Sequence, residues 1–229
     1  MDAQQQFKQA AAESAVALVE DGMILGLGTG STAKLAVEAL GRRVQSGLRV
    51  VGVPTSEFTG QQARSLGISV STLDEHPAID LTIDGADEVE LGTLNLIKGR
   101  GGALLREKIV ASASKRLVIM VDESKLVERL GSQFALPVEL NPFGWHVAAR
   151  KLEALGAKAM LRPDPDGKPY LTDGGHYIVD CAFGPIASPA KLECELNKMV
   201  GVVEHGLFLG MATQVIVAGR DGVKVLLPQ

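Results

Sequence analysis

Aromatic side chains are scarce in this sequence: six Phe, two Tyr and one Trp, 4% of 229 residues. That argues against an aromatic-rich binding face and for small-residue packing of helices on a sheet. Cysteine is nearly absent. Cys181 and Cys194 are too few for a disulfide framework, so two reduced, partly buried thiols of a cytosolic chain are expected. Basic residues are not in excess: 23 Lys and Arg against 27 Asp and Glu leave a formal net charge of -4. An acidic surface repels a phosphate backbone, which excludes nucleic acid as an expected partner. No apolar run approaches the ~20 residues of a membrane span. No basic-then-apolar leader opens the chain either, since Met1 to Lys8 is polar and rich in Gln. The four histidines, His76, His146, His176 and His205, form no H-E-x-x-H or Cys/His cluster, so no structural metal is expected. No G-x-S-x-G elbow is present.

What remains is a soluble composition, 46% hydrophobic and 22% charged, with 26 glycines and length for one large or two small domains. Gln6 to Glu20 reads as an amphipathic helix stopped by Asp21-Gly22. Met23 to Leu27 is a strand, followed by a glycine turn and a helix from Thr32 to Arg42. Further strands are expected at Arg49 to Val53, Ile68 to Ser71, Ile79 to Ile83 and Leu117 to Val121. Helices are expected from Thr55-Ser56 to Leu66 and from Ala103 to Ser114. Strands alternating with helices argue for an α/β fold with an open, mainly parallel sheet and helices on both faces. After Lys125 the rhythm changes to strand (Leu136 to Leu140), helix (Asn141-Pro142 to Leu155), strand (Ala157 to Leu161), strand (Tyr177 to Ala182) and helix (Ala190 to Met199). That run reads as a smaller α+β domain of the ferredoxin type. A hairpin around Arg220-Asp221-Gly222 closes the tail and can return to the first sheet. The expected division is residues 1–127 with 205–229, and 128–204.

Three segments carry chemistry. Gly28-Thr29-Gly30-Ser31-Thr32 lies between a strand and a helix, where free N–H groups and hydroxyls suit a phosphate or carboxylate. A tight turn whose Ser or Thr caps the helix fits the same residues. The dinucleotide fingerprint fails, because Ser31 stands at the third glycine position and no acid follows the second strand. A P-loop fails because Gly30, not Lys, precedes Ser31. Asp84-Gly85-Ala86-Asp87-Glu88 ends an apolar strand, at the edge of a parallel sheet where ligands bind. Its acids can hold sugar hydroxyls, move protons or chelate a hard cation, and a solvated Asp-Gly turn is the plainer reading. Lys98-Gly99-Arg100-Gly101-Gly102 is a second glycine-rich entry to a helix, now with basic side chains. Glu107 and Lys125 by themselves read as charges on solvated faces.

Taken in order, these segments resemble the ribose-5-phosphate isomerase A family. The matching stretches are Gly26 to Thr32, Asp84 to Glu88, Ile97 to Ala103, Arg106 to Ile109, Asp122 to Lys125, Leu136 to Glu139 and Gly201 to Phe208. The resemblance implies an isomerase of the pentose phosphate pathway that interconverts ribose 5-phosphate and ribulose 5-phosphate through an enediol. It implies no metal or redox cofactor, a cytoplasmic homodimer or homotetramer, and a sugar phosphate as the partner. It gives Glu107 the proton transfer; the enediolate oxygens then need donors, for which Lys98 or loop N–H groups are candidates, and Asp84 or Asp87 is the candidate for assisting ring opening. It gives substrate contacts to Thr29, Gly30, Ser31, Thr32, Asp84, Gly85, Ala86, Asp87, Lys98, Gly99, Arg100, Gly101 and Lys125. Arg100 stands where some members have glycine, which leaves its role open. The rival is a non-catalytic sugar-phosphate sensor of the same fold. Such a sensor is expected to carry a helix-turn-helix module, for which the opening residues leave no room, and can dispense with Glu107.

Overall fold

The computed structural model describes residues 2–228. Its helices are α1 (Ala3–Val16), α2 (Ser31–Gln45), α3 (Glu57–Ser65), α4 (Leu104–Ser112), α5 (Trp145–Ala154) and α6 (Pro189–Asn197). Its strands are β1 (Ile24–Leu27), β2 (Val51–Pro54), β3 (Ser69–Val70), β4 (Leu81–Asp84), β5 (Glu88–Glu90), β6 (Leu96–Ile97), β7 (Leu117–Asp122), β8 (Leu126–Val127), β9 (Leu136–Leu140), β10 (Lys158–Leu161), β11 (Tyr177–Ala182), β12 (Val202–His205), β13 (Leu207–Phe208), β14 (Gln214–Gly219) and β15 (Gly222–Leu226).

The large sheet has the order β15-β14-β7-β4-β1-β2-β3. All its pairs are parallel except β14–β15, the tail hairpin, which returns to this sheet as expected. The period-2 alternation of strand side chains sorts its residues onto two faces. Leu25, Leu27, Leu81, Ile83, Val118, Met120, Ile216 and Ala218 point to the side of α1 and α2, where Ala11, Ala15, Ala36 and Leu40 meet them. Small alanines let those helices sit close to the sheet. Leu117, Ile119, Val121, Val215 and Val217 point the other way, against Ala111 of α4 and Val89, Leu96 and Phe208.

Those last three belong to a small sheet, β13-β6-β5-β8, that the sequence reading does not foresee. Its strands are two or three residues long, too short to show a period. A third sheet, β10-β11-β9-β12, is antiparallel throughout and packs α5 and α6 on one core of Val138, Leu140, Leu152, Val179 and Leu196. Its chain order, β9-α5-β10-β11-α6-β12, is the ferredoxin arrangement. β12 is the strand missing from the sequence reading. Helix bounds also shift. α1 starts at Ala3, because Asp2 caps it by accepting from the Gln5 N–H, and ends at Val16 rather than Glu20. α5 starts only at Trp145, after a turn in which Gly144 takes φ 73°. Both thiols are free, but Cys194 is exposed where a partly buried group was expected.

Candidate active site

In the large sheet the chain runs outward to β2 and β3 on one side of β1 and to β7 and β14 on the other side of β4. The strand order reverses between β1 and β4, and the crevice outside their carboxyl ends is where such sheets bind ligands. The Gly28–Gly30 turn leaves β1 at that point, and the Gly85–Asp87 turn leaves β4. A cavity of about 400 Å³ opens there.

The Gly28 turn is pressed onto Asp84. A Cβ on Gly28 would lie 2.1 Å from the Asp84 Oδ1, so only glycine fits. The Thr29 hydroxyl is tied to Thr55 Oγ1 at 2.7 Å, Ser56 Oγ at 2.8 Å and Thr59 Oγ1 at 3.1 Å. Its side chain therefore locks the turn rather than reaching outward. The N-cap of α2 is Gly30, at φ 121°, and no side chain caps the helix. Ser31 and Thr32 are therefore not spent on capping, and with Ala33 they line the cavity at the helix N-terminus, where free N–H groups suit an anion.

Opposite stands a buried charge cluster. Asp84, Lys98 and Glu107 are 1%, 3% and 4% exposed. The Lys98 ammonium lies 3.0 Å from Asp84 Oδ2 and 3.4 Å from Glu107 Oε2, and donates to the Gly85 carbonyl. Asp84 Oδ1 also accepts from the N–H groups of Thr29 at 3.2 Å and Gly85 at 2.7 Å. Glu107 Oε2 has no hydrogen-bond partner among the described residues. One ammonium thus serves two buried carboxylates. Burial, reinforced by Asp84 and Asp87 and opposed by Lys98, pushes the Glu107 pKa up to about 8. Burial also raises Asp84, against the pull of Lys98 and the two N–H groups. Burial alone lowers Lys98, but Asp84 and Glu107 outweigh it and hold its pKa above the ordinary lysine range.

Of the residues expected from sequence, Thr29, Gly30, Ser31, Thr32, Gly85, Ala86, Asp87, Lys98, Gly99, Arg100, Gly101, Glu107 and Lys125 line this one cavity. Asp84 lies behind them, holding Lys98 and the Gly28 turn. Glu107 is not the solvated charge its neighbours suggest. Leu104, Val110 and Ala111 bury the face of α4 that carries it, while Arg106 turns out to Glu57 at 2.8 Å. Arg100 and Lys125 both stand over the Phe134 ring, at 4.9 and 4.6 Å from its centroid. Four lining residues escape the sequence reading, the apolar Ala33 and Val121 and the polar Gln4 and Lys8 of α1. Nothing local marks Gln4 and Lys8, because α1 precedes β1 and reaches the cavity only by packing on α2 and the large sheet. Among the described residues no group of three or more His, Cys, Asp or Glu side chains is gathered to hold a metal ion. The Lys98 ammonium stands between the two buried carboxylates where a cation would sit.

Residues 51–222 match the family model for ribose 5-phosphate isomerase A (phosphoriboisomerase A). Ribose-5-phosphate isomerase A of Gloeobacter violaceus is 63% identical, over 96% of this chain and 96% of its own. A D-ribose-5-phosphate isomerase solved in complex with phospho-erythronic acid superposes with a TM-score of 0.95 at 41% identity, covering 99% of this chain and all of the other. The ribose 5-phosphate isomerase A of Methanocaldococcus jannaschii superposes at 0.94 with 43% identity, covering 98% of this chain and 100% of the other. With the model matched over most of its length and relatives similar from end to end, this chain belongs to the ribose 5-phosphate isomerase A family.

Proposed function

We propose that this cavity interconverts ribose 5-phosphate and ribulose 5-phosphate, with Glu107 carrying the proton between C1 and C2. The observation that carries the reading is a buried carboxylate whose Oε2 accepts no hydrogen bond among the described residues and lies 3.4 Å from the Lys98 ammonium, facing the same cavity as an uncapped helix N-terminus. A binding-only sensor has no use for such a carboxylate, which costs stability to keep. The phosphate lies on the α2 N-terminus, held by Ser31 and Thr32 with the Lys8 ammonium. That places the carbonyl end of the open-chain sugar toward Lys98 and Glu107.

The ionised Glu107 takes the C2 proton of the aldose, and the electrons move into the C1 carbonyl to form a cis-enediolate. The same carboxyl returns the proton to C1 while the O2 hydroxyl proton passes to the O1 oxyanion, leaving the C2 carbonyl and C1 hydroxyl of the ketose. A base with pKa about 8 is far better matched to a carbon acid than an ordinary carboxylate, and it still ionises near neutral pH. The Lys98 ammonium stabilises the oxyanion, and Asp87, at the cavity wall, is placed to move a hydroxyl proton during ring opening. A coupled assay of ketose formation from ribose 5-phosphate tests this directly. No turnover by the folded wild type would sink it.

The division into residues 1–127 with 205–229 and 128–204 belongs to the same proposal, supported by the separate core of the antiparallel sheet. Resemblance supports a cytoplasmic homodimer or homotetramer, which light scattering distinguishes. No helix among the described residues is long and apolar enough to cross a membrane.

A further inference from the structure

Arg162 follows β10 in the antiparallel sheet and does not line the cavity. Its guanidinium is largely buried, with 14% of the side chain exposed. Nε donates to Asp180 Oδ2 at 2.9 Å and Nη2 to Asp180 Oδ1, a two-point fork that fixes the plane of the group. Nη1 is left to reach across to the loop after Lys98. There it donates to the carbonyl of Gly99 at 2.9 Å and to that of Arg100 at 3.1 Å.

In a planar trans peptide the C=O and N–H point in opposite directions. Turning the Gly99 carbonyl to Arg162 aims the Arg100 N–H the other way, and it donates to Asp87 Oδ2 at 2.9 Å. Turning the Arg100 carbonyl to the same nitrogen aims the Gly101 N–H to that same side. Gly101 lines the cavity, and its N–H donates to no acceptor among the described residues. Within the loop only the Gly99 carbonyl is held, accepting from the Gly102 N–H at 3.0 Å, whereas no backbone group of the loop holds the Arg100 carbonyl. Gly99 and Gly102 sit at φ 110° and 79°, and Gly101 has no side chain to pack. Free glycines sample many conformers, so the Arg100–Gly101 peptide takes its setting from Arg162, outside the loop.

We infer that Arg162, held by Asp180, is a positioning residue that presents the Gly101 N–H, beside the Arg100 N–H and Asp87, to the oxygen that becomes negative in the enediolate. This rests on the isomerase reading above. The donor matters most when the charge develops, so its loss lowers kcat more than it raises KM.

The test uses the full chain as wild type, Arg162→Ala, Arg162→Lys, Asp180→Asn and Glu107→Gln. Arg162→Ala is expected to lose about 10–100-fold in kcat, the scale of a misplaced reacting group, with KM for ribose 5-phosphate little changed. Affinity for phospho-erythronic acid, whose carboxylate mimics the two coplanar enediolate oxygens, should fall by the same factor as kcat/KM. Arg162→Lys cannot reproduce the fork and both carbonyl bonds at once, so it should fall between. Asp180→Asn should also fall between, and millimolar guanidinium should restore part of the Arg162→Ala rate. Normal kcat in a folded variant, a change confined to KM, or unchanged inhibitor affinity beside a lost rate would each overturn the inference. If Arg162→Ala does not fold, Arg162→Lys and Asp180→Asn decide it on the same criteria. Wild type and Glu107→Gln report on the isomerase reading separately: inactive wild type sinks that reading, whereas normal Arg162 variants sink only this one.

Discussion

Glu107→Gln keeps the shape of the side chain and removes its basic oxygen, and two independent readouts follow. The first is catalytic. Losing a general base lowers the rate by about 10²–10⁴-fold, and the loss should fall on kcat with KM little changed. Exchange of the substrate's C2 hydrogen with solvent deuterium should stop with it. In the wild type, kcat/KM should rise with pH as Glu107 ionises and level off above about 8. At pH 7 roughly one site in ten is then in the active form. The second readout is stability. The folded pKa is about 8 and the unfolded one near 4.5, so the native state binds the proton more tightly. The wild type is therefore penalised progressively as pH climbs from about 4.5 to about 8, by at most about 1.4 kcal/mol per pH unit. Glutamine carries no proton to lose. The stability of the variant relative to wild type should thus improve across that window and stay level below it and above it. Urea melts at several pH values measure the difference, with circular dichroism confirming the fold. Near-normal turnover in the folded variant, or a stability difference that does not change with pH, would refute the reasoning.

Lys98→Met leaves Asp84 and Glu107 buried without their shared cation. It should cost roughly 3–5 kcal/mol in urea melts and abolish isomerisation. Lys8→Ala removes a charge-assisted contact worth about 1.5–3 kcal/mol, so KM for ribose 5-phosphate should rise tenfold or more while kcat holds, and an unchanged KM takes Lys8 out of the site. Gly28→Ala drives a methyl group into Asp84, where the Cβ would also lie 2.7 Å from the Asp84 Cα. It should lower stability by about 1–3 kcal/mol and activity with it, and wild-type behaviour in both would contradict the packing described. Exhaustive chelation with EDTA should leave turnover intact, and activity that returns only with added Mg²⁺ or Zn²⁺ would overturn the Lys98-centred chemistry.

Much of this architecture is legible along the chain, because its signals are local. Alternation at Ile79 to Ile83 marks a strand by its period, and the glycines after Leu27 mark a turn wherever they fall. Strand, turn and helix in alternation leave few sheet topologies open, and the carboxyl ends of β1 and β4 follow as the place to look. Other features depend on what packs where. The two-residue strands of the small sheet are too short for any period, and they are strands only because Phe208 and Leu96 cover the large sheet. Whether Ser31 caps its helix or faces a ligand turns on a backbone angle at Gly30 that composition does not specify. Lys8 and Glu107 sit in stretches that read as solvated helix faces. Lys8 reaches the cavity because α1 packs on α2 and the sheet, and Glu107 is basic because burial and the nearby Asp84 and Asp87 outweigh the pull of Lys98. Burial and electrostatic coupling are sums over neighbours distant in sequence, so they exist only once the chain is folded.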